Sequence, residues 1–260
     1  MKTVRLYFDL LWLDLYARTQ YRADFVTGIF SSMLQHAVTL GTLWLIFARV
    51  SALGGWSAAQ AAVLYALFSL VMGLVNALGS GVRQLPNMVE QGDLDNILIL
   101  PASPYIQLLP RFNPFALGDL LLGVALLAVT APSAHIRWTP PILLYLIVAV
   151  VCGVAIQLGL LTVIYSASFW LRQPAATYGA ESLSQLARYP AGIFPRWVQI
   201  LITWVFPVAF ASVYPAGVLT GAGGISLRYG LVVVPVAAAC IGAGALVWRL
   251  GLRKYEGTGS

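Results

Sequence analysis

Three carboxylates fall within six positions near the middle of the chain, Glu90, Asp93 and Asp95, in the stretch "EQGDLDNILILPASPYIQLLPRF". Paired acids can do proton chemistry or hold a metal, but no histidine or cysteine accompanies these. Two local roles remain. Gly92-Asp93 reads as a helix start, with Asp93 as N-cap and Asp95 in the positive first turn. Leu94, Ile97 and Leu98 then share one face, Pro101 stops the helix, and Ser103-Pro104 opens a second one that ends at Pro110. The segment is thus either an interfacial hairpin whose acids cap helices, or a rigid docking knob with an apolar face and an acidic end. Inside the apolar runs, Gln35, His36, Asn76 and Gln157 could line a polar pathway. The plainer reading of His36 is a neutral histidine bonded to a neighbouring helix. Asp119 either complements a helix dipole or is the lone intramembrane carboxylate.

Other chemistry is missing from the chain. It has no GxxxxGK[ST] loop, its only lysines are Lys2 and Lys254, and no GxSxG occurs. His36 and His135 have no second ligand at useful spacing, so no metal site is expected. Cys152 and Cys240 lie in apolar runs and read as small core residues. No catalytic residue is expected.

These residues need elements to carry them, and the composition decides which kind. Of 260 residues, 60% are hydrophobic and 9% charged, with a mean hydropathy of +0.83. That is too little charge to cover a water-facing surface. An all-α polytopic membrane protein forming one domain, residues 1–260, is expected. Six segments have the length of a span: about 25–47, 58–82, 116–131, 141–171, 197–219 and 227–250. With both termini in the cytoplasm, twelve basic residues, Arg188 and Arg196 among them, fall inside, and only Arg49, Arg137 and Arg228 outside. Residues 83–113 then form a cytoplasmic loop.

Two segments keep alternatives. Residues 1–22 read as an amphipathic interfacial helix with Leu6, Leu10, Leu13 and Ala17 on one face and Arg5/Asp9 and Asp14/Arg18 pairs, or as an extension of the first span. Residues 172–196 read as a cytoplasmic-surface stretch with a short helix from Glu181 to Arg188, or as an irregular span packed inside the bundle. Small residues at 237–245 and at Gly73, Ala77 and Gly81 suit close helix approach.

The blocks "GDLDNILILPASP" (92–104), "FNPFALGDLLLG" (112–123), "ARYPAGIFPRW" (187–197) and "PVAFASVYPAGVLTG" (207–221) occur in this order. Together they resemble ABC-transporter permeases of the type-2 exporter class, in the six-span subgroup of this length. Leu100 departs from that pattern, in which a basic residue often precedes the proline. The resemblance implies a half-transporter in a prokaryotic inner membrane. It would pair with a second permease subunit, like or unlike, and with separate ATP-binding subunits that carry ATP and Mg. The loop residues Gly92, Asp93, Leu94, Asp95, Ile97 and Leu98 would form the coupling helix that docks on the ATPase. The proline-broken stretch from Pro207 to Gly224 would lie at the outer face, either along it or re-entrant. No nucleic-acid partner is expected. An ion-coupled carrier or channel and a membrane enzyme or assembly factor are the competing classes. An amphiphile or other hydrophobic substrate fits the lack of a charged pathway.

Overall fold

The computed structural model describes residues 2–171 and 181–255. Among them the chain is helical and has no strand, only an isolated bridge between Leu53 and Trp56. The helices are α1 (Lys2–Gln20), α2 (Arg22–Phe47), α3 (Ala58–Leu78), α4 (Leu85–Gln91), α5 (Leu94–Leu98), α6 (Pro104–Leu108), α7 (Phe115–Thr130), α8 (Pro140–Ser166), α9 (Arg196–Ile200), α10 (Val213–Thr220), α11 (Leu227–Gly230) and α12 (Val233–Lys254). Four are long and apolar enough to cross a membrane: α2, α3, α8 with the turn that extends it, and α11–α12 taken together. The apolar α7 is shorter.

Each boundary has a local cause. Ser57 and Gln60 form a capping box at the start of α3: the Ser57 N–H donates to Gln60 Oε1 (2.9 Å) and the Gln60 N–H to Ser57 Oγ (3.4 Å). α3 stops at Leu78, short of the expected 82, because Gly79 leaves helical backbone and Ser80–Gln84 tightens into a 3-10 turn. Pro140 and Pro141 start α8, where their missing N–H groups cost nothing.

The ends of the bundle can be followed through contacts. The N-termini of α2 and α7 and the C-termini of α3, α8 and α12 lie at one end, beside α4–α6, here called the loop end. α1 packs across it. Tyr7 donates its hydroxyl to the Leu78 carbonyl, and Asp14 accepts from the Phe112 N–H (2.8 Å) and from Arg18 Nε (2.7 Å). The stripe Leu6–Leu10–Leu13–Ala17 does not all face inward, since Leu13 and Ala17 are exposed.

Two expected segments are built differently. Residues 197–219 are not one helix. α9 passes into a π turn at Leu201–Val205, Pro207 lacks the N–H to continue it, and a 3-10 turn at Val208–Ala211 precedes α10. The turn sits deep. Ser212 Oγ donates to the Ala187 carbonyl (2.6 Å), and a Cβ added to Gly153, midway along α8, would meet the Ala211 carbonyl oxygen at 3.0 Å. α10 then returns to the far end, where the Thr220 carbonyl accepts from Gln60 Nε2 (3.5 Å). Residues 196–220 therefore form a re-entrant hairpin.

The second concerns 181–193, read either as a surface stretch with a helix from Glu181 to Arg188 or as an irregular span packed inside the bundle; the second alternative is the one found. Glu181 lies at the loop end against Arg83, and Arg188 stands over the Phe68 ring halfway along α3 (5.6 Å). Gly192 reaches the far end, where a Cβ on Gly54 would meet its carbonyl carbon at 2.9 Å. The segment runs the depth of the bundle as 3-10 turns, Leu183–Arg188 and Ala191–Ile193. Such backbone is tolerated at this depth because protein covers it. Arg188, and Arg196 beyond it at the far end, therefore do not stand at the loop end with the basic residues expected on that side. The part of the expected surface stretch at 172–180 lies outside the described residues.

Two seams of small residues bring helices together. Gly73 of α3 faces Leu120 of α7, and Gly123 of α7 faces Leu70. Gly159 of α8 lies against the α12 backbone, where an added Cβ would be 2.5 Å from the Cys240 carbonyl. Gly242, in the same run of small residues, has nothing within 4 Å of such a Cβ. Gly159→Val is expected to cost about 1–3 kcal/mol by overpacking and to lower the melting temperature in detergent, followed by tryptophan fluorescence. Gly242→Val is expected to leave it unchanged, and equal shifts would remove the seam as the cause.

Candidate functional site

Two sites emerge, a knob at the loop end and a chain of polar side chains through the bundle. The knob is built from α4, α5 and α6. Gly92, at φ 77°, closes α4 in the left-handed conformation. Asp93 follows with helical backbone (φ −65°, ψ −16°) and makes no capping hydrogen bond. The expected N-cap is therefore absent. A residue already inside the helical turn cannot fold its carboxylate back onto the first N–H groups. Ser103 likewise makes no side-chain cap before Pro104. Gln107 joins the two short helices instead, donating from Nε2 to the Ala102 carbonyl (2.9 Å) and the Ile97 carbonyl (3.4 Å).

One face of the knob is locked into the bundle. Leu94 and Leu108 are buried with Val82, Leu85, Tyr165 and Trp248. Tyr105 packs edge-on to Trp248 (5.2 Å between centroids), and its hydroxyl meets Thr162 Oγ1 at 2.9 Å. The other face is open. Asp93 is exposed and has no side-chain partner among the described residues. Leu98, Ile99 and Leu100 are also exposed, Ile99 at 80%. Asp95 differs from Asp93. It stands close to Tyr255, whose phenol is raised above its usual range, first by burial and then by the Asp95 carboxylate. The Tyr255 hydroxyl lacks hydrogen-bonding geometry to any described residue, so the contact is electrostatic. Of the expected docking residues, Asp93 and Leu98 face outward, Leu94 faces the core, and Gly92, Asp95 and Ile97 are half-buried.

The polar chain starts at Asp119, on the first turns of α7. Its Oδ1 accepts from Ser32 Oγ (3.0 Å) and lies 2.8 Å from His36 Nε2; its Oδ2 accepts from Asn76 Nδ2 (2.8 Å). The other ring nitrogen of His36 lies 2.8 Å from the Tyr65 hydroxyl. Arg83 Nη1 donates to Asn76 Oδ1 (3.1 Å) and Nε to Glu181 Oε1 (2.8 Å), and Tyr165 donates to Glu181 Oε2. The chain thus ties α2, α3, α7, α8 and the irregular crossing together. α2 is built for it: Ser32, His36 and Thr39 fall on its buried stripe, while Phe30, Met33, Val38, Trp44 and Leu45 face out.

Of the expected pathway residues, His36 and Asn76 meet at Asp119, and Gln35 stands beside them. Gln35, His36, Asn76, Asp119 and Arg188 line a cavity of about 80 Å³. It adjoins an open groove of about 730 Å³ that shares Gln35, Phe115 and Arg188. Gln157 stands apart. It is fully buried in α8, and neither atom of its amide has a hydrogen-bond partner among the described residues. Sequence reasoning left Arg83, Glu181 and Ser32 out of any site, because their partners lie 87 or 98 positions away in the chain. Among the described residues no group of three or more His, Cys, Asp or Glu could hold a metal ion.

A family model described as "ABC-2 family transporter protein" matches residues 33–259, nearly the whole chain. No curated protein and no solved structure matches.

The two buried polar sites predict opposite effects. Asp119→Ala strands three buried donors and is expected to cost about 3 kcal/mol or more. Gln157→Met removes an unpaired buried amide and is expected to gain about 1 kcal/mol. Thermal unfolding of the purified variants checks both signs, and a destabilised Gln157→Met would show that the amide is satisfied.

Proposed function

The chain belongs to the ABC-2 transporter family, and on that premise we propose that it is the permease subunit of an ATP-driven exporter, powered by a separate ATP-binding subunit that docks on the knob at 92–100. It is a multi-pass membrane protein and a transport component by family. The observation that carries the docking role is the knob's asymmetry. Leu94 and Leu108 fix it to the ends of α3, α8 and α12, while Asp93 and Ile99 stand free. A carboxylate with no side-chain partner among the described residues, beside an exposed apolar tip, is what a protein partner can use. ATP and Mg belong to that partner.

A push on such a knob reaches the bundle, because the knob is packed onto helix ends and has no slack linker. Arg83, one turn beyond α3, passes the displacement through Glu181 to the irregular crossing. That crossing has no long helical ladder of its own and can shift between two packings more readily than α3 or α8. In this reading α1 lies in the cytoplasmic interface of a prokaryotic inner membrane, both termini are cytoplasmic, and six crossings are made by α2, α3, α7, α8, 181–193 and α11–α12.

A second permease subunit completes the transporter, and the groove beside α2 is left open as the passage for substrate. Ser31, Gln35 and Thr42 are exposed there, at the depth of the hydrocarbon. Polar side chains at that depth face protein or a water-filled passage. An ion-coupled carrier is the second reading, and the chain from His36 and Asp119 to Arg83 and Glu181 favours it. It predicts substrate flux in vesicles without any ATPase.

The tagged chain, purified from membranes of its own host, is expected to bring down an ATP-binding cassette protein identifiable by mass spectrometry. Asp93→Lys with Ile99→Asp, both on the open face, is expected to abolish that recovery without lowering the melting temperature. Full recovery with the double variant would end the docking assignment.

A further inference from the structure

The groove beside α2 has a distinctive charge. Arg188 reaches it halfway along the bundle, with its guanidinium over the Phe68 ring at 5.6 Å. Nε and Nη2 are both turned to one neighbour, the carbonyl and the amide oxygen of Gln185. No carboxylate pairs with it among the described residues. The two acids inside the bundle are taken: Asp119 is surrounded by Ser32, His36 and Asn76, and Glu181, at the loop end, by Arg83 and Tyr165. An arginine cannot shed its charge by losing a proton, and a cation at this depth is costly without a counter-ion. Nη1 makes no hydrogen bond to any described residue, and Arg188 is only half-buried where it lines the groove.

The walls complete the pattern. Leu34, Val38 and Phe115 give an apolar surface, and Ser31 and Gln35 a polar one. The hydroxyls of Thr39 and Thr42 are bonded to their own helix, so they present methyl groups and weak acceptors only. Gln35 has no side-chain partner among the described residues. The volume, about 730 Å³, suits a drug-sized or lipid-sized ligand.

We propose that this groove binds a membrane amphiphile with an anionic headgroup, phosphate or carboxylate, with Arg188 as its counter-ion and its chain along Leu34 and Val38. The proposal rests on the permease reading and names the substrate class for it. The anion supplies the bidentate partner that the guanidinium lacks, and the alkyl chain is drawn from the bilayer beside the exposed face of α2. Arg188 is the residue that selects for charge, and Gln35 adds a hydrogen bond to the headgroup.

The test uses the full chain in phosphatidylcholine nanodiscs and two photoreactive probes of equal chain length, a diazirine alkyl phosphate and a diazirine alkyl trimethylammonium. The phosphate probe is expected to label residues 31–42 and 188–189, mapped by mass spectrometry, at least about tenfold more than the ammonium probe. Arg188→Gln is expected to remove that preference and Arg188→Lys to retain most of it. Excess inorganic phosphate is expected not to compete, whereas unlabelled alkyl phosphate is. Equal labelling by the two probes overturns the proposal without any variant being made. Competition by inorganic phosphate overturns the membrane source. Absence of labelling, with a disulfide forming between two copies at Thr42→Cys, means that a second copy fills the groove and also overturns it. None of these readings needs an ATPase. Full ATPase recovery with the knob double variant therefore sinks the docking assignment alone, and equal labelling of the unaltered chain by the two probes sinks this one alone.

Discussion

A carboxylate buried in an apolar bundle must be met by donors, and Asp119 shows how far that requirement reaches. Each donor comes from a different place: Ser32 and His36 from α2, Asn76 from α3. Meeting them fixes the rotation of α2, which otherwise buries little of itself. The same logic extends through Asn76 to Arg83 and Glu181, so each charge along the chain is placed by the need to satisfy the one before it. In lipid this constraint is stronger than apolar packing, since lipid tails compete with Leu and Val for contact but cannot replace a hydrogen bond.

The irregular crossing at 181–193 follows from it. A segment carrying Glu181 and Arg188 cannot face hydrocarbon. Folded as 3-10 turns between α3 and the re-entrant hairpin, it turns Glu181 to Arg83 and Arg188 to Phe68. Ser212 then holds the hairpin to its backbone at Ala187. Hairpin and crossing are thereby one unit, which places the proline-rich stretches at 187–197 and 207–221 side by side in space.

What could be read from the sequence was what is local. The cores of α2, α3, α7, α8 and α12 were legible from apolar runs, and the α8–α12 seam from its small residues. Asp14 with Arg18 was legible because an i,i+4 pair needs no knowledge of the fold. The knob was legible in outline from Pro and Gly, yet its cap was misread. "GD" looks like a helix start, but here Gly92 ends α4, a helix with no apolar period long enough to notice. The sequence leaves the crossing undecided between a surface stretch and a buried irregular span for the converse reason. Hydropathy scored Glu181 and Arg188 as surface, whereas their environment comes from Arg83 and Phe68, about a hundred positions earlier. The broken fifth segment kept an apolar average that hid its two breaks.

The shortness of α7 has a consequence outside the protein. At 16 residues it is roughly 24 Å long, against a hydrocarbon core of about 30 Å. Leu121, Val124 and Val129 are exposed along it, so this is a wall that lipid must match. Tilting cannot help a helix that is already too short, and α7 is pinned to α3 through Gly73 and Gly123. In the proposed six-crossing arrangement the lipids beside α7 shorten instead, leaving a dimple in the bilayer on one side of the molecule. A membrane protein that carries its own thin patch gathers short-chain or disordered lipids around itself, and lowers the barrier for any amphiphile passing there from one leaflet to the other.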